Sequence, residues 1–200
     1  MNNNSLYGLV ACGGKSSRMG YDKSLIDYLG KPQRYHVYEL LQSFCKAVFI
    51  SCNESQAASI PEEYRVMIDL PRYHDIGPIA ALLTAFDKYP DRDFLVIGCD
   101  YPLLQQKDIV AFIRCLKGPV ASSFYNNTEA LYEPLLAWYP AAKSGILREM
   151  FEKKIYSLQY YFQAQNTIRF VPDNPSVMTS VDTGLQEKEV RNILARLRPY

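Results

Sequence analysis

The chain has 200 residues, 48% of them hydrophobic, and a formal net charge of +1 from 22 lysines and arginines against 21 aspartates and glutamates. At about 100–200 residues per domain, one globular domain over residues 1–200 is expected, and the evenly mixed charge excludes a basic field built for nucleic acid or for an anionic membrane. Five cysteines, Cys12, Cys45, Cys52, Cys99 and Cys115, form no C-x-x-C pair and leave an odd one over, which suits buried thiols in a reducing cytoplasm rather than a disulfide scaffold.

The opening MNNNSLYG has neither the positive region nor the apolar run of a signal peptide. No run of about 18 apolar residues predicts a membrane-spanning helix, and no internal repeat is present. A cytoplasmic monomer or small homo-oligomer is expected, with small molecules or proteins as partners and neither nucleic acid nor membrane.

The first element, Leu6 to Cys12, is a short apolar strand with no alternating polar face. It reads as buried on both sides, as in a parallel sheet covered by helices. It runs into Gly13 and Gly14, then a polar loop through Arg18 and Gly20 to Asp22 and Lys23. Glycines let backbone N–H groups approach phosphate oxygens because no Cβ intervenes, and Lys15, Arg18 and Lys23 bring positive charge to the same place. The layout is that of a triphosphate-binding loop. Gly14-Lys15-Ser16 matches the end of a Walker-type pattern, but the glycine needed five positions earlier is Leu9. The G-x-G-x-x-G spacing of a dinucleotide fingerprint is missing as well.

Further along, Gln33 to Cys45 reads as a helix started at Pro32, Ala47 to Cys52 as a strand, Arg65 to Ile68 as a short strand, and Ile79 to Phe86 as a helix opened by Gly77-Pro78. Phe94 to Cys99 is the most apolar strand, followed by a helix over Ile109 to Leu116. Val120 to Phe124, Leu131 to Trp138 and Thr167 to Val171 read as strands, and Ala141 to Glu152 and Leu158 to Ala164 as helices. The last helix, Gln186 to Leu197, carries Val190, Ile193, Leu194 and Leu197 in one stripe. The alternation predicts an α/β fold, a doubly wound, mainly parallel sheet between helical layers.

Chemistry is expected where strands end in polar residues. Ser51 and Asn53 follow the second strand, Asp69 the third, and Asp100 the Phe94 run; each alone also fits a turn or a cap. Asp100 stands out, because a carboxylate after a central strand is costly unless paired or metal-bound. Beside a triphosphate, a hard oxygen ligand points to Mg2+, which takes one or two carboxylates together with phosphates and water.

The segment Gly13, Gly14, Ser16, Arg18, Met19, Gly20, Asp22, Lys23 resembles the signature loop of the sugar-nucleotide-pyrophosphorylase-like nucleotidyltransferases, L-A-G-G-x-S-x-R-M-G-x-D-K, with Ala11 and Cys12 in place of the usual Leu and Ala. Within that nucleotide-diphospho-sugar transferase superfamily the likeness is to the MobA-type molybdenum cofactor guanylyltransferases. It extends to Cys99-Asp100-x-Pro102, to Gly77-Pro78-Ile79-Ala80-Ala81, to Glu133-Pro134-Leu135-Leu136-Ala137 on the acceptor side, and to Ser180-Val181-Asp182-Thr183-Gly184, where Gly184 replaces a proline.

The resemblance implies a three-layer Rossmann-like fold and transfer of GMP from GTP to molybdopterin, giving a guanine dinucleotide and pyrophosphate. It places Ala11, Cys12, Gly13, Gly14, Lys23, Asn53, Asp69 and Asp100 on the nucleotide, with Ser51 an alternative to Asn53 and Asp75 to Asp69. Asp100 and Asp182 would hold Mg2+, although Asp182 also suits the N-cap of the last helix. Arg18, Lys23 and Asp100 would be the catalytic set, Arg18 at the leaving pyrophosphate and Lys23 at the α-phosphate. No general base is needed for a phosphate acceptor, and neither His36 nor His74 adjoins a motif. Asp22, where cytidylyl-transferring relatives carry proline, favours GTP. Tyr156, Tyr160, Tyr161 and Phe162 suit either a pterin site or the core. Other molybdenum cofactor proteins would be further partners. Two other readings stay open: a nucleotidyltransferase using CTP or UTP on molybdopterin, a sugar or a polyol phosphate, and a non-catalytic nucleotide-binding relative.

Overall fold

The computed structural model describes residues 6–12 and 21–197. The glycine loop, with Gly13, Gly14, Lys15, Arg18 and Gly20, lies outside the described residues.

Strand β1 (Leu6–Ala11) is the pivot of the fold. Its alternate residues serve two cores: Leu9 and Ala11 pack into one and Leu6, Val10 and Cys12 into the other. That explains the unbroken apolar run, since a strand covered on both faces has no side to leave polar. Strands β2 (Ala47–Cys52), β3 (Val66–Ile68) and β4 (Asp93–Gly98) extend the same pattern. Helices α1 (Gln33–Gln42) and α4 (Gln106–Cys115) cover one face through Val37, Tyr38, Leu41, Ile109 and Phe112. On the other face, α3 (Ile79–Lys88), α5 (Ser144–Glu152) and α6 (Leu158–Gln163) bring Leu82, Phe86, Leu147, Tyr161 and Phe162. The result is the expected three-layer arrangement. One short helix, α2 (Glu54–Ala57), was not expected from the sequence.

The seven strands run in the order β3-β2-β1-β4-β6-β5-β7, completed by β5 (Ser122–Asn126), β6 (Leu131–Tyr139) and β7 (Ile168–Phe170). The first four are mutually parallel. β6 runs antiparallel to both β4 and β5, and β5 is parallel to β7. The chain leaves β1 toward β2 and β3, then returns to β4 on the other side of β1. The ends of β1 and β4 therefore open onto one crevice, the place where open α/β sheets bind ligands.

Two local features shape that crevice. β6 is bulged, because Ser123 faces Ala137 while its neighbour Phe124 already faces Glu133. The proline at 134 cannot donate to the ladder, and the freed carbonyls find other partners: Ser123 Oγ donates to Glu133 O (2.9 Å) and Tyr139 Oη to Pro134 O (2.9 Å). The second feature is α7 (Gly184–Leu197), which begins two residues before the expected Gln186. Thr183 Oγ1 accepts from the Gln186 N–H (3.3 Å), so Thr183 takes the capping position. Val190, Ile193 and Leu194 then pack on Ile26, Tyr28, Leu103 and Val181 as a third small core. Among the described residues no helix is long and apolar enough to cross a membrane.

Candidate active site

At the crevice, the backbone of β1 is tied to both neighbours just past its last residue. The Cys12 N–H donates to Ser51 O (3.1 Å), and the Cys99 N–H to Ala11 O (3.2 Å). Ala11 and Cys12 are both buried. Burial, then contact with Cys99, pushes the Cys12 thiol well above its ordinary pKa, which disfavours the thiolate.

Asp100 lies two residues past β4. Its Oδ1 is buried and has no hydrogen-bond partner among the described residues. A Cβ built on Gly98 would come within 2.3 Å of that oxygen, 3.1 Å of Tyr101 Cε2 and 3.2 Å of Leu135 Cβ. The carboxylate thus occupies a niche that exists only because residue 98 is glycine. Burial pushes the Asp100 pKa up from 3.8 to about 6, with Asp182 raising it further and Lys23 pulling it down. Such a shift makes ionisation about 3 kcal/mol harder than in water, a cost that a cation would offset.

The C-terminal motif joins Asp100 through the main chain, where the Val181 N–H donates to Asp100 O (2.9 Å). The next residue, Asp182, accepts through Oδ1 from Lys23 Nζ. Its Oδ2 is within 3.4 Å of Ser180 Oγ, and its own N–H donates to Gln186 Oε1 (2.9 Å). Since Thr183 caps α7, the Asp182 side chain is left to face the crevice. Residues from both ends of the chain therefore meet around Asp100.

These residues fit Mg2+. An orphaned buried carboxylate oxygen and a second carboxylate close enough to perturb it are hard donors of the kind that ion takes. Among the described residues no group of three or more His, Cys, Asp or Glu could hold a metal. Two carboxylates suit an ion that draws its remaining ligands from phosphates and water.

On the far side of β1, Ser51 is buried and its Oγ donates to Asp69 Oδ1 (3.2 Å). Burial raises the Asp69 pKa, and the Ser51 hydroxyl counteracts it. Asp75 is exposed and pairs with His74 Nδ1 (3.2 Å). Asn53 is the N-cap of α2, its Oδ1 accepting from the Gln56 N–H (2.9 Å) and from Ser55 Oγ (2.6 Å). Gln56 returns a bond to the Asn53 N–H (3.2 Å) and donates through Nε2 to Asp22 Oδ2 (2.9 Å). Asp22 Oδ1 in turn accepts from the Ser24 N–H (2.9 Å). The Asn53 oxygen is thus committed to a cap, and Asp22 is fastened to α2.

Sequence reasoning gave Gln56 and Tyr101 no role, and Glu133 none beyond a place in a matched segment. Tyr101 Oη donates to Glu133 Oε2 (2.8 Å) beside Asp100, a contact made by the β6 bulge that no spacing rule shows. Of the four aromatic candidates, Tyr161 and Phe162 are core, whereas Tyr156 and Tyr160 are exposed.

The model of the MobA-like NTP transferase domain matches residues 8–160 of this chain. The molybdenum cofactor biosynthesis bifunctional protein of Synechocystis sp. is 33% identical over 162 residues, covering 80% of this chain, and the chain spans 42% of that protein's length. The molybdenum cofactor guanylyltransferase of Pseudomonas putida is 32% identical over 153 residues, 76% of this chain and 78% of that protein. The crystal structure of molybdopterin-guanine dinucleotide biosynthesis protein A from Archaeoglobus fulgidus superposes with a TM-score of 0.76 at 19% identity, covering 95% of this chain and 99% of that one. A nucleotidyltransferase sheet, a carboxylate niche at its switch point and the matched span agree: the chain belongs to the MobA-like NTP transferase family.

Proposed function

We propose that this protein transfers GMP from GTP to the phosphate of a molybdopterin-type acceptor in the cytoplasm, releasing pyrophosphate and forming a guanine dinucleotide. The observation that carries the reading is the unpartnered Asp100 oxygen, held beside Lys23 and Asp182 at the switch point of the sheet. The likeness to a molybdenum cofactor guanylyltransferase supports a guanylyl donor and a molybdenum cofactor acceptor.

Asp100 and Asp182 would hold Mg2+, which would screen the triphosphate and polarise the α-phosphate. With GTP in the crevice, Lys23 exchanges Asp182 for a phosphate oxygen and stabilises charge developing at the α-phosphate. The family likeness assigns Arg18, Gly13 and Gly14, outside the described residues, to the leaving pyrophosphate. Ala11 and Cys12 lend their backbone to the nucleoside, and Ser51 holds Asp69 toward it. Asn53 shapes this side of the site through the α2 cap. The acceptor phosphate is already ionised near neutral pH, so the work left to the protein is positioning and charge stabilisation.

Thermal denaturation in Mg2+ with each nucleoside triphosphate tests the nucleotide. A ligand that binds only the folded form at 100 times its Kd adds about 2.7 kcal/mol, so GTP should raise Tm by several degrees where CTP and UTP do not. A rise with CTP or UTP and none with GTP would move the protein to the cytidylyl- or uridylyl-transferring reading.

A further inference from the structure

We infer that Tyr101 and Glu133 form a positioning pair that fixes the Asp100 carboxylate, so that the β6 bulge belongs to the working site. The inference rests on the proposed metal role of Asp100 and extends it to residues that touch neither metal nor nucleotide.

Asp100 Oδ1, the edge of the Tyr101 ring and the Cβ of Leu135 crowd the same space above the bare Cα of Gly98, at 2.3, 3.1 and 3.2 Å from where a Cβ would stand. The last two are set by the bulge. Leu135 lies within it, and the Tyr101 ring is pinned by its hydroxyl to Glu133 Oε2 (2.8 Å), at the step where the β5–β6 register shifts. Tyr101 is buried, only 5% exposed. The Glu133 main chain is fixed from the other side by Ser123 Oγ. A regular β6 would lack this step, and bulges serve elsewhere to re-aim side chains beside active sites.

The energetics favour such a brace. A carboxylate with one buried oxygen lacking a partner among the described residues is pulled toward any arrangement that rehydrates it. The buried Tyr101 ring shares the space above Gly98 with that carboxylate, and the bond from its hydroxyl to Glu133 holds it there. Without that bond the ring keeps its apolar packing but loses its register, and the carboxylate spreads over several orientations. Losing a group that orients a metal ligand costs roughly 10–100-fold in metal affinity.

The test is Mn2+ binding to the full-length protein, measured by loss of the free-ion EPR signal without nucleotide, with circular dichroism confirming the fold of each variant. Asp100→Asn should abolish tight binding. Tyr101→Phe and Glu133→Leu should weaken it about tenfold, while Glu133→Gln, which still accepts the tyrosine hydrogen, should bind as the parent does. If Tyr101→Phe and Glu133→Leu both bind like the parent while Asp100→Asn does not, the positioning role is wrong and the metal role of Asp100 stands. If Glu133→Gln is as weak as Glu133→Leu, charge rather than the hydrogen bond is responsible and the brace is wrong. Parental binding by Asp100→Asn would overturn the metal role and this inference with it.

Discussion

Lys23 and Asp182 meet in an ion pair although 159 positions separate them in the chain. The contact ties the turn at Lys23 to the segment that leads into α7. Lys23 is the more buried partner, its side chain 19% exposed against 42% for Asp182. A pair so open to solvent adds about 0–1 kcal/mol at most to stability, so its value lies in the site. Lys23→Ala should leave Tm within a few degrees of the parent while lowering kcat by at least ~10²–10³-fold, the scale of losing one transition-state donor. Pyrophosphate release at saturating GTP reads the loss, and parental kcat in that variant would remove Lys23 from the catalytic set.

Asp100 should destabilise the metal-free protein. Its folded pKa, about 6, lies above the ordinary 3.8, so between those values the folded form binds more protons than the unfolded chain. Stability from this group therefore falls as pH rises through that window and levels off above about pH 6. Asp100→Asn should be inactive yet more stable than the parent at pH 7 in EDTA, by up to about 3 kcal/mol. The gain should shrink toward pH 4, as urea denaturation at both pH values would show. A variant less stable than the parent at pH 7 would contradict the cost of burying this carboxylate.

Gly98 offers a steric test of the same niche. A methyl at residue 98 would stand 2.3 Å from Asp100 Oδ1, so Gly98→Ala must turn the carboxylate out. Turnover should fall by about 10²-fold, with a higher Mg2+ concentration for half-activation, in line with losses seen when metal-orienting groups are disturbed. Gly145 supplies the control, because nothing lies within 4 Å of its would-be Cβ. Gly145→Ala in α5 should keep full activity and gain about 0.5–1 kcal/mol. Equal activity of the two alanine variants would show that the niche does not matter.

Asn53 should declare itself through stability. Replacing an N-cap asparagine by alanine costs about 1 kcal/mol, so Asn53→Ala should lower the urea midpoint. Asn53→Asp, which caps equally well, should keep it. No change in Asn53→Ala would leave the capping box without energetic weight and return the residue to the nucleoside.

Legibility in the sequence followed the range of the forces involved. β2 runs over Ala47–Cys52 as expected, because five apolar residues in a run of six between polar turns leave little choice. Asp100 was visible because a carboxylate closing an apolar strand is out of place unless it has work to do. β5 begins at Ser122 rather than Val120 because Pro119 and the positive φ of Gly118 (52°) hold the approach out of the ladder. α2 was missed since Glu54–Ala57 is too short and polar to show a periodic stripe. The meeting of Lys23 with Asp182, and of Tyr101 with Glu133, depends on strand order and on a bulge. Neither leaves a mark in local spacing.

The most direct measurement is product formation from GTP, Mg2+ and molybdopterin, with the guanine dinucleotide and pyrophosphate quantified together. The account predicts equal amounts of the two products, none when CTP or UTP replaces GTP, and none from Asp100→Asn. Dinucleotide made from CTP but not GTP, or GTP bound without any pyrophosphate released, would contradict it.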